Sequence, residues 1–240
     1  MPICPDKEPE CKACNDTGMI KVSGDPLAYR QCACMAAKAA QQRMIRSGLG
    51  GALDLDTFER FRTDRDYQRE MKDKAAAYVD ALKVCRDNPR RPWFYVSGSP
   101  GCGKTHICTA VCGELLKLNL DVRYMQWVSE SRRLKAYVND EDFDNQIEEY
   151  TGVKVLYIDD FLKQTWTINP HFTEADIRLA FAILNARYIR NLPTVISTEW
   201  DIKRQLLPFD EATFSRVYER SRNFMVQVGR NPGNNYRLRA

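Results

Sequence analysis

Residues 98–105 read Gly98-Ser99-Pro100-Gly101-Cys102-Gly103-Lys104-Thr105. The short apolar run Trp93-Phe94-Tyr95-Val96 lies directly before them, and an apolar run from Ile107 to Leu118 directly after. A strand, a glycine-rich turn and a helix in that order commit the chain to an α/β unit that holds a phosphate. The glycines let successive backbone N–H groups turn inward around the anion, and the positive end of the following helix adds to the same site. Lys104 then reaches the β- and γ-phosphates of a nucleoside triphosphate, and Thr105 offers its hydroxyl to Mg²⁺. A surface glycine loop without a ligand would not need the flanking strand and helix.

With 240 residues, 44% of them apolar and 28% charged, the chain is long enough for one sizeable α/β core and a small appendage. No apolar stretch approaches 18 residues, and Met1-Pro2-Ile3-Cys4-Pro5-Asp6 lacks a basic start and an apolar h-region. Neither a membrane span nor a signal peptide is expected, and the predicted location is cytoplasmic. In a reducing compartment nine cysteines point to metal ligation and core packing rather than disulfides. Two close pairs, Cys11-Lys12-Ala13-Cys14 and Cys32-Ala33-Cys34, are separated by the turn signals Asp16-Thr17-Gly18 and Gly24-Asp25-Pro26. Each short loop presents two thiolates to one side of an ion, so Cys11, Cys14, Cys32 and Cys34 are the expected ligands of a structural Zn²⁺; Cys4 is left outside. A segment this small has no core of its own, and the metal would supply its folding energy. The expected organisation is a zinc-binding module over 1–46, a linker over 47–63 that begins with the breaker Ser47-Gly48-Leu49-Gly50-Gly51, and an ATPase domain over 64–240.

Beyond the phosphate loop the chain alternates. Strands are predicted at Val122–Trp127, Val153–Ile158, Pro193–Thr198 and Phe224–Val228. Helices are predicted at Val128–Val138, Thr173–Arg190 and Glu211–Arg220, with earlier ones at Met35–Arg46 and Asp64–Asp87. This alternation implies a parallel sheet wrapped by helices. Cys108 and Cys112, one turn apart among Ile107, Val111, Leu115 and Leu116, read as core. The run Val155-Leu156-Tyr157-Ile158-Asp159-Asp160 is an apolar strand ending in two acids, the form of a Walker B element. It predicts Asp159 in the Mg²⁺ shell and Asp160 as the group that orients or activates the attacking water. The net charge of +4 decides little, but from Phe214 to Ala240 six arginines face the single acid Glu219.

Several of these stretches together resemble the AAA+ replicative helicase loaders of the DnaC/DnaI family. They are the phosphate loop with its trailing His106, Leu156-Tyr157-Ile158-Asp159-Asp160, and Leu184-Asn185-Ala186-Arg187-Tyr188 running into Leu192-Pro193-Thr194-Val195-Ile196-Ser197-Thr198. Ser215-Arg216-Val217-Tyr218-Glu219-Arg220 and Asn235-Tyr236-Arg237 belong with them. The Cys-x2-Cys-x-Asp-Thr-Gly opening and Thr57-Phe58-Glu59-Arg60-Phe61 resemble the phage and DnaI-like branch, so the likeness runs from Cys11 to Arg239. It implies an AAA+ P-loop core with a five-stranded parallel sheet, ATP hydrolysis with Mg²⁺, and a zinc module that engages a replicative hexameric helicase. It also implies single-stranded DNA as a partner and self-association on helicase or DNA. By the same resemblance Ser197 or Thr198 stands at sensor 1, where many relatives carry asparagine at the place of Glu199. Arg216 resembles the arginine finger that reaches a neighbouring subunit's nucleotide, and Arg237 resembles sensor 2.

Arg132, Arg133 and Lys135, on the helix after the second strand, and Lys163 with Trp166, in the polar loop after the two acids, are the expected DNA contacts. Backbone neutralisation plus base stacking holds single strands without sequence preference. Three other readings compete: an IstB-like transposition ATPase, a P-loop nucleotide kinase, and an adaptor that uses ATP only as a structural switch. The cysteine module separates the loader from the first, and the arginine finger separates it from the second.

Overall fold

A computed structural model describes residues 9, 11–22, 28–84, 90–137, 140–163, 173–229 and 231–238. The chain starts with a small antiparallel hairpin, β1 (Met19–Lys21) and β2 (Tyr29–Gln31), and continues into α1 (Ala33–Ser47). The helix stops at Gly48, whose φ of 80° gives the left-handed cap that a Cβ disfavours. A short turn of helix, α2 (Ala52–Leu55), and the long α3 (Asp66–Val84) lead to the core.

The core alternates β3 (Phe94–Ser97), α4 (Lys104–Lys117), β4 (Val122–Gln126), α5 (Trp127–Lys135), α6 (Phe143–Thr151), β5 (Val155–Phe161), α7 (Glu174–Ile189) and β6 (Thr194–Thr198). A π-helical turn over Ile202–Leu206, then α8 (Leu207–Phe209), α9 (Glu211–Ser221) and β7 (Met225–Gln227), complete it. The five strands form one sheet in the order β4-β5-β6-β3-β7, and every pairing is parallel. This is the expected five-stranded parallel sheet between helices. Because side chains alternate along a strand, Phe94 and Val96 pack under α3 and α4 with Met71, Tyr78, Ile107 and Val111. Tyr95 points through the other face to the cluster of Trp127, Leu179, Ile183 and Phe214. Cys108 and Cys112 are wholly buried in the first cluster, and burial pushes both thiols well above their ordinary range. The stretch 47–63, expected as a linker, contributes Leu49, Leu53 and Phe61 to that same cluster.

Two strand ends and one helix stand out against expectation. The second core strand stops at Gln126, and Trp127 opens α5 with its ring packed edge-on to Phe161. The third runs past Ile158 through both acids to Phe161, across an irregularity in its pairing with β6. Helix α6 was not predicted; only Ile147, Tyr150 and Thr151 of its nine residues are buried, too narrow an apolar stripe to announce a helix. The sheet's carboxyl ends, where β3, β5 and β6 finish side by side, carry the phosphate loop and both acids.

Candidate nucleotide site and cysteine cluster

The phosphate loop is clamped from two sides. Gly101 and Gly103 have φ of 78° and 99°. A Cβ on Gly101 would lie 2.0 Å from Asn235 Oδ1, and one on Gly103 would lie 3.0 Å from the Phe61 ring, so both positions need glycine for conformation and for space. Tyr236 N–H closes onto Gly101 O at 3.1 Å. Helix α4 begins without a side-chain cap and without an acid in its first turn, which leaves its first N–H groups and positive end open to an anion. Lys104 folds back along the loop, its Nζ donating to Gly98 O at 2.7 Å and Ser99 O at 3.0 Å.

Thr105 Oγ1 lies 3.3 Å from Asp159 Oδ1, the pairing that a Mg²⁺ between a loop hydroxyl and a strand-end carboxylate requires. Asp159 is 5% exposed and is held by Tyr157 OH at 2.8 Å, Tyr124 OH at 3.2 Å and the Ser197 hydroxyl. Burial, with the Asp159 carboxylate adding to it, raises the Tyr157 phenol well above its ordinary range, so it stays a donor to this carboxylate. Of these three hydroxyls Ser197 was a sensor 1 candidate, whereas Tyr124 and Tyr157 read as ordinary strand residues and no pattern announced them.

Asp160 and Leu162 both have left-handed backbones, φ 52° and 59°, at the point where β5 loses register with β6. The resulting bulge is braced from β6. Thr198 Oγ1 donates to Phe161 O at 2.8 Å and accepts from Trp200 N–H, while Trp200 Nε1 donates to Leu162 O at 3.1 Å. The hydroxyl of Thr198 is thus spent within the protein, and that of Ser197 faces Asp159 while also accepting from the N–H of Asp160.

A cavity of about 290 Å³ is lined by Pro100, Lys104, Thr105, His106, Asp160 and Arg237, together with Lys163 and Glu199 on its wall. A second, of about 420 Å³, adjoins the loop between Phe61 and Tyr236, with Arg60, Arg62 and Gln68 around it. His106 does not point at the loop's phosphate side alone: its Nε2 lies 2.9 Å from Thr57 O, its Nδ1 3.4 Å from Asp56, and Phe61 packs edge-on against its ring.

The other expected residues fall elsewhere. Arg216, on α9, does not line this cavity; it bonds Ala212 O and lies over the rings of Phe181 and Tyr188. Lys135 pairs with buried Asp176 at 2.7 Å, and Arg133 pairs with Glu130 and Glu149. Arg132 is exposed, with no ion-pair partner among the described residues. Trp166 lies outside the described residues.

At the other end, the hairpin folds the second cysteine pair back onto the first. Cys11 Sγ lies 3.7 Å from Cys32 Sγ, Cys14 Sγ lies 3.4 Å from Cys34 Sγ, and all four sulfurs lie within 4.8 Å of one another. Zn–S bonds of about 2.3 Å would space tetrahedral sulfurs by roughly 3.8 Å, so the donor set and its spacing fit Zn²⁺. Backbone N–H groups of Cys14 and Ala13 pull the Cys11 thiol down to about 7, while bonding to Cys14 and Cys32 pushes Cys34 up. Four sulfurs this close cannot all ionise without a cation among them, and a dication removes that conflict.

A family model described as IstB-like ATP binding protein matches residues 38–239. The phage-like element PBSX protein XkdC of Bacillus subtilis (strain 168) is 29% identical over 229 residues, covering 91% of this chain and 82% of XkdC. Among solved structures, the DnaC helicase loader superposes with a TM-score of 0.57 at 18% identity, over 72% of this chain and 96% of that one. DnaI superposes at 0.54 and 21%, over 73% and 88%. The fold is that of these AAA+ proteins.

Proposed function

This chain belongs to the IstB-like ATP-binding family, and we propose that it is an ATP-hydrolysing loader of a replicative hexameric helicase onto single-stranded DNA. One observation carries the reading: a phosphate site in which Lys104, Thr105, Asp159 and Asp160 converge shares the chain with a four-thiol module over 11–34, ahead of the family-matched stretch. In this reading the triphosphate lies along the loop with Lys104 on its β- and γ-phosphates, and the base enters the cavity between Phe61 and Tyr236. Thr105 and Asp159 hold Mg²⁺, which would neutralise charge on the phosphates; Asp160 orients the water, and Arg237 reaches the phosphates from the C-terminal side. Cys11, Cys14, Cys32 and Cys34 hold Zn²⁺, whose module engages the helicase. Arg132, exposed on α5, is the remaining candidate of its helix for DNA. No helix among the described residues is long and apolar enough to cross a membrane, in keeping with a cytoplasmic partner.

The test is co-purification with a replicative hexameric helicase, with and without ATP, followed by loading onto circular single-stranded DNA. Retention of the helicase and its appearance on the circle supports the loader. The family match favours a second reading, an ATPase serving DNA transposition; capture of a transposase and no helicase would establish that one instead.

A further inference from the structure

Lys163, expected from sequence to face DNA, is turned back into the phosphate cavity. Its Nζ lies 3.2 Å from Asp160 Oδ2 and 3.2 Å from Glu199 Oε1, and all three side chains are about one-third exposed or less. An ammonium meant for a polymer outside would need no such turn. Here the chain adopts two left-handed non-glycine residues, Asp160 and Leu162, and closes a turn from Lys163 N–H to Asp160 O at 3.0 Å. Thr198, the last residue of β6, and Trp200, just beyond it, hold the carbonyls of that turn. Backbone strain sustained by neighbours in this way collects where a side chain must be aimed.

The charges on the cavity wall set the problem this arrangement answers. Glu199 is a carboxylate beside the place of a γ-phosphate, and alone it would repel one. Asp160, the water-orienting acid of the reading above, has one carboxylate oxygen occupied by the Lys163 ammonium. Burial opposes the charge on Lys163, but Asp160 and Glu199 outweigh it and hold the ammonium above its ordinary range, so it is a cation throughout neutral pH.

We propose that Lys163 is a γ-phosphate sensor, kept between Asp160 and Glu199 until a nucleoside triphosphate enters, whose transfer to the terminal phosphate frees Asp160 to accept a hydrogen bond from water. This rests on the ATP-site reading. A terminal phosphate carries more charge than either carboxylate and three acceptor oxygens, so it outcompetes them for the ammonium. A diphosphate leaves that place vacant, and Lys163 stays with its acids. Lys163 is therefore a positioning residue for Asp160 as well as a ligand of the phosphate.

Calorimetry on the full chain with Mg²⁺ tests this, using a non-hydrolysable ATP analogue and ADP as the two probes. Lys163→Met should weaken the triphosphate analogue by about tenfold or more, the loss of one charge-assisted bond, and leave ADP within about twofold. Lys163→Arg should recover most of the difference. Glu199→Gln, which removes one competitor for the ammonium, should tighten the analogue and leave ADP unchanged. Equal losses for both probes in Lys163→Met would reduce Lys163 to a structural role and overturn the proposal, as would unchanged discrimination. Wild-type protein that binds neither probe would overturn the ATP-site reading itself, a separate and recognisable failure.

Discussion

Lys104 and Asp160 are both charged, both line one cavity and would both be lost to any change that unfolds the loop, yet they should fail differently. Lys104 is the cation aligned with the loop, so Lys104→Ala should abolish tight ATP binding. Asp160→Ala should keep binding and lose hydrolysis, because its carboxylate acts on water rather than on the nucleotide. Calorimetry with Mg²⁺-ATP and a phosphate-release assay separate the two; equal ATP affinity in wild type and Lys104→Ala would remove the loop from the mechanism. Sequence placed these two residues because a glycine turn and a strand end are local patterns. It could not show Arg187, whose guanidinium is wholly buried and bonds Tyr150 O at 2.8 Å, Val153 O at 3.0 Å and Thr194 Oγ1 at 2.9 Å. Burial draws it down to about 9, so it remains a cation at neutral pH, joining α7 to the ends of α6 and β6. Arg187→Met should leave those carbonyls without donors and cost about 3–5 kcal/mol, read as a lower urea midpoint with an unchanged slope.

At the scale of elements, β3, β5 and β6 were legible because strands buried on both faces of a parallel sheet read as short continuous apolar runs. The bulge at Asp160 was not, since a left-handed Asp or Leu is set by braces from another strand. The α5–α7 contact was also hidden. Lys135 reads as one charge of a basic run, but it reaches across to Asp176, the carboxylate that closes the capping box of α7 with Thr173. Burial of Asp176 opposes its ionisation, and the bonds from Lys135 and Thr173 overcome that, holding it below the usual carboxylate range. A lowered folded value stabilises the protein above the unfolded value near 3.9 and is lost as pH falls through the folded one. Asp176→Asn should therefore be less stable than wild type at pH 7, with the gap in urea midpoints narrowing as pH falls below about 4; a gap unchanged across that range would detach this pair from the acid limb. The hairpin module has its own expected behaviour. Strands of three residues cannot hold themselves, so Cys11→Ser should lose zinc by elemental analysis and lose order around the hairpin while calorimetry of ATP binding by the core stays as in wild type.

For the whole molecule, the number of chains that complete one site decides the rate. The cavity offers Lys104, Lys163 and Arg237 from its own chain, whereas Arg216 lies on α9 against Phe181 and Tyr188 and does not line it. An arginine parked over two rings is pre-shaped for a planar contact, and its cost of ordering is already met, which suits a group that meets its target only on assembly. If a neighbour's Arg216 stabilises charge developing on the γ-phosphate, it is worth on the order of 10³ in rate. Turnover per chain should then rise with protein concentration and with single-stranded DNA, which sets chains side by side. Arg216→Ala should flatten both responses and leave ATP affinity nearly unchanged. Mixing is the decisive measurement. Arg216→Ala and Asp160→Ala proteins, each inactive alone, should recover partial turnover on DNA, because a mixed interface pairs an intact Asp160 site with an intact arginine. No recovery, or turnover independent of concentration, would place Arg216 outside the reaction and leave each chain to act alone.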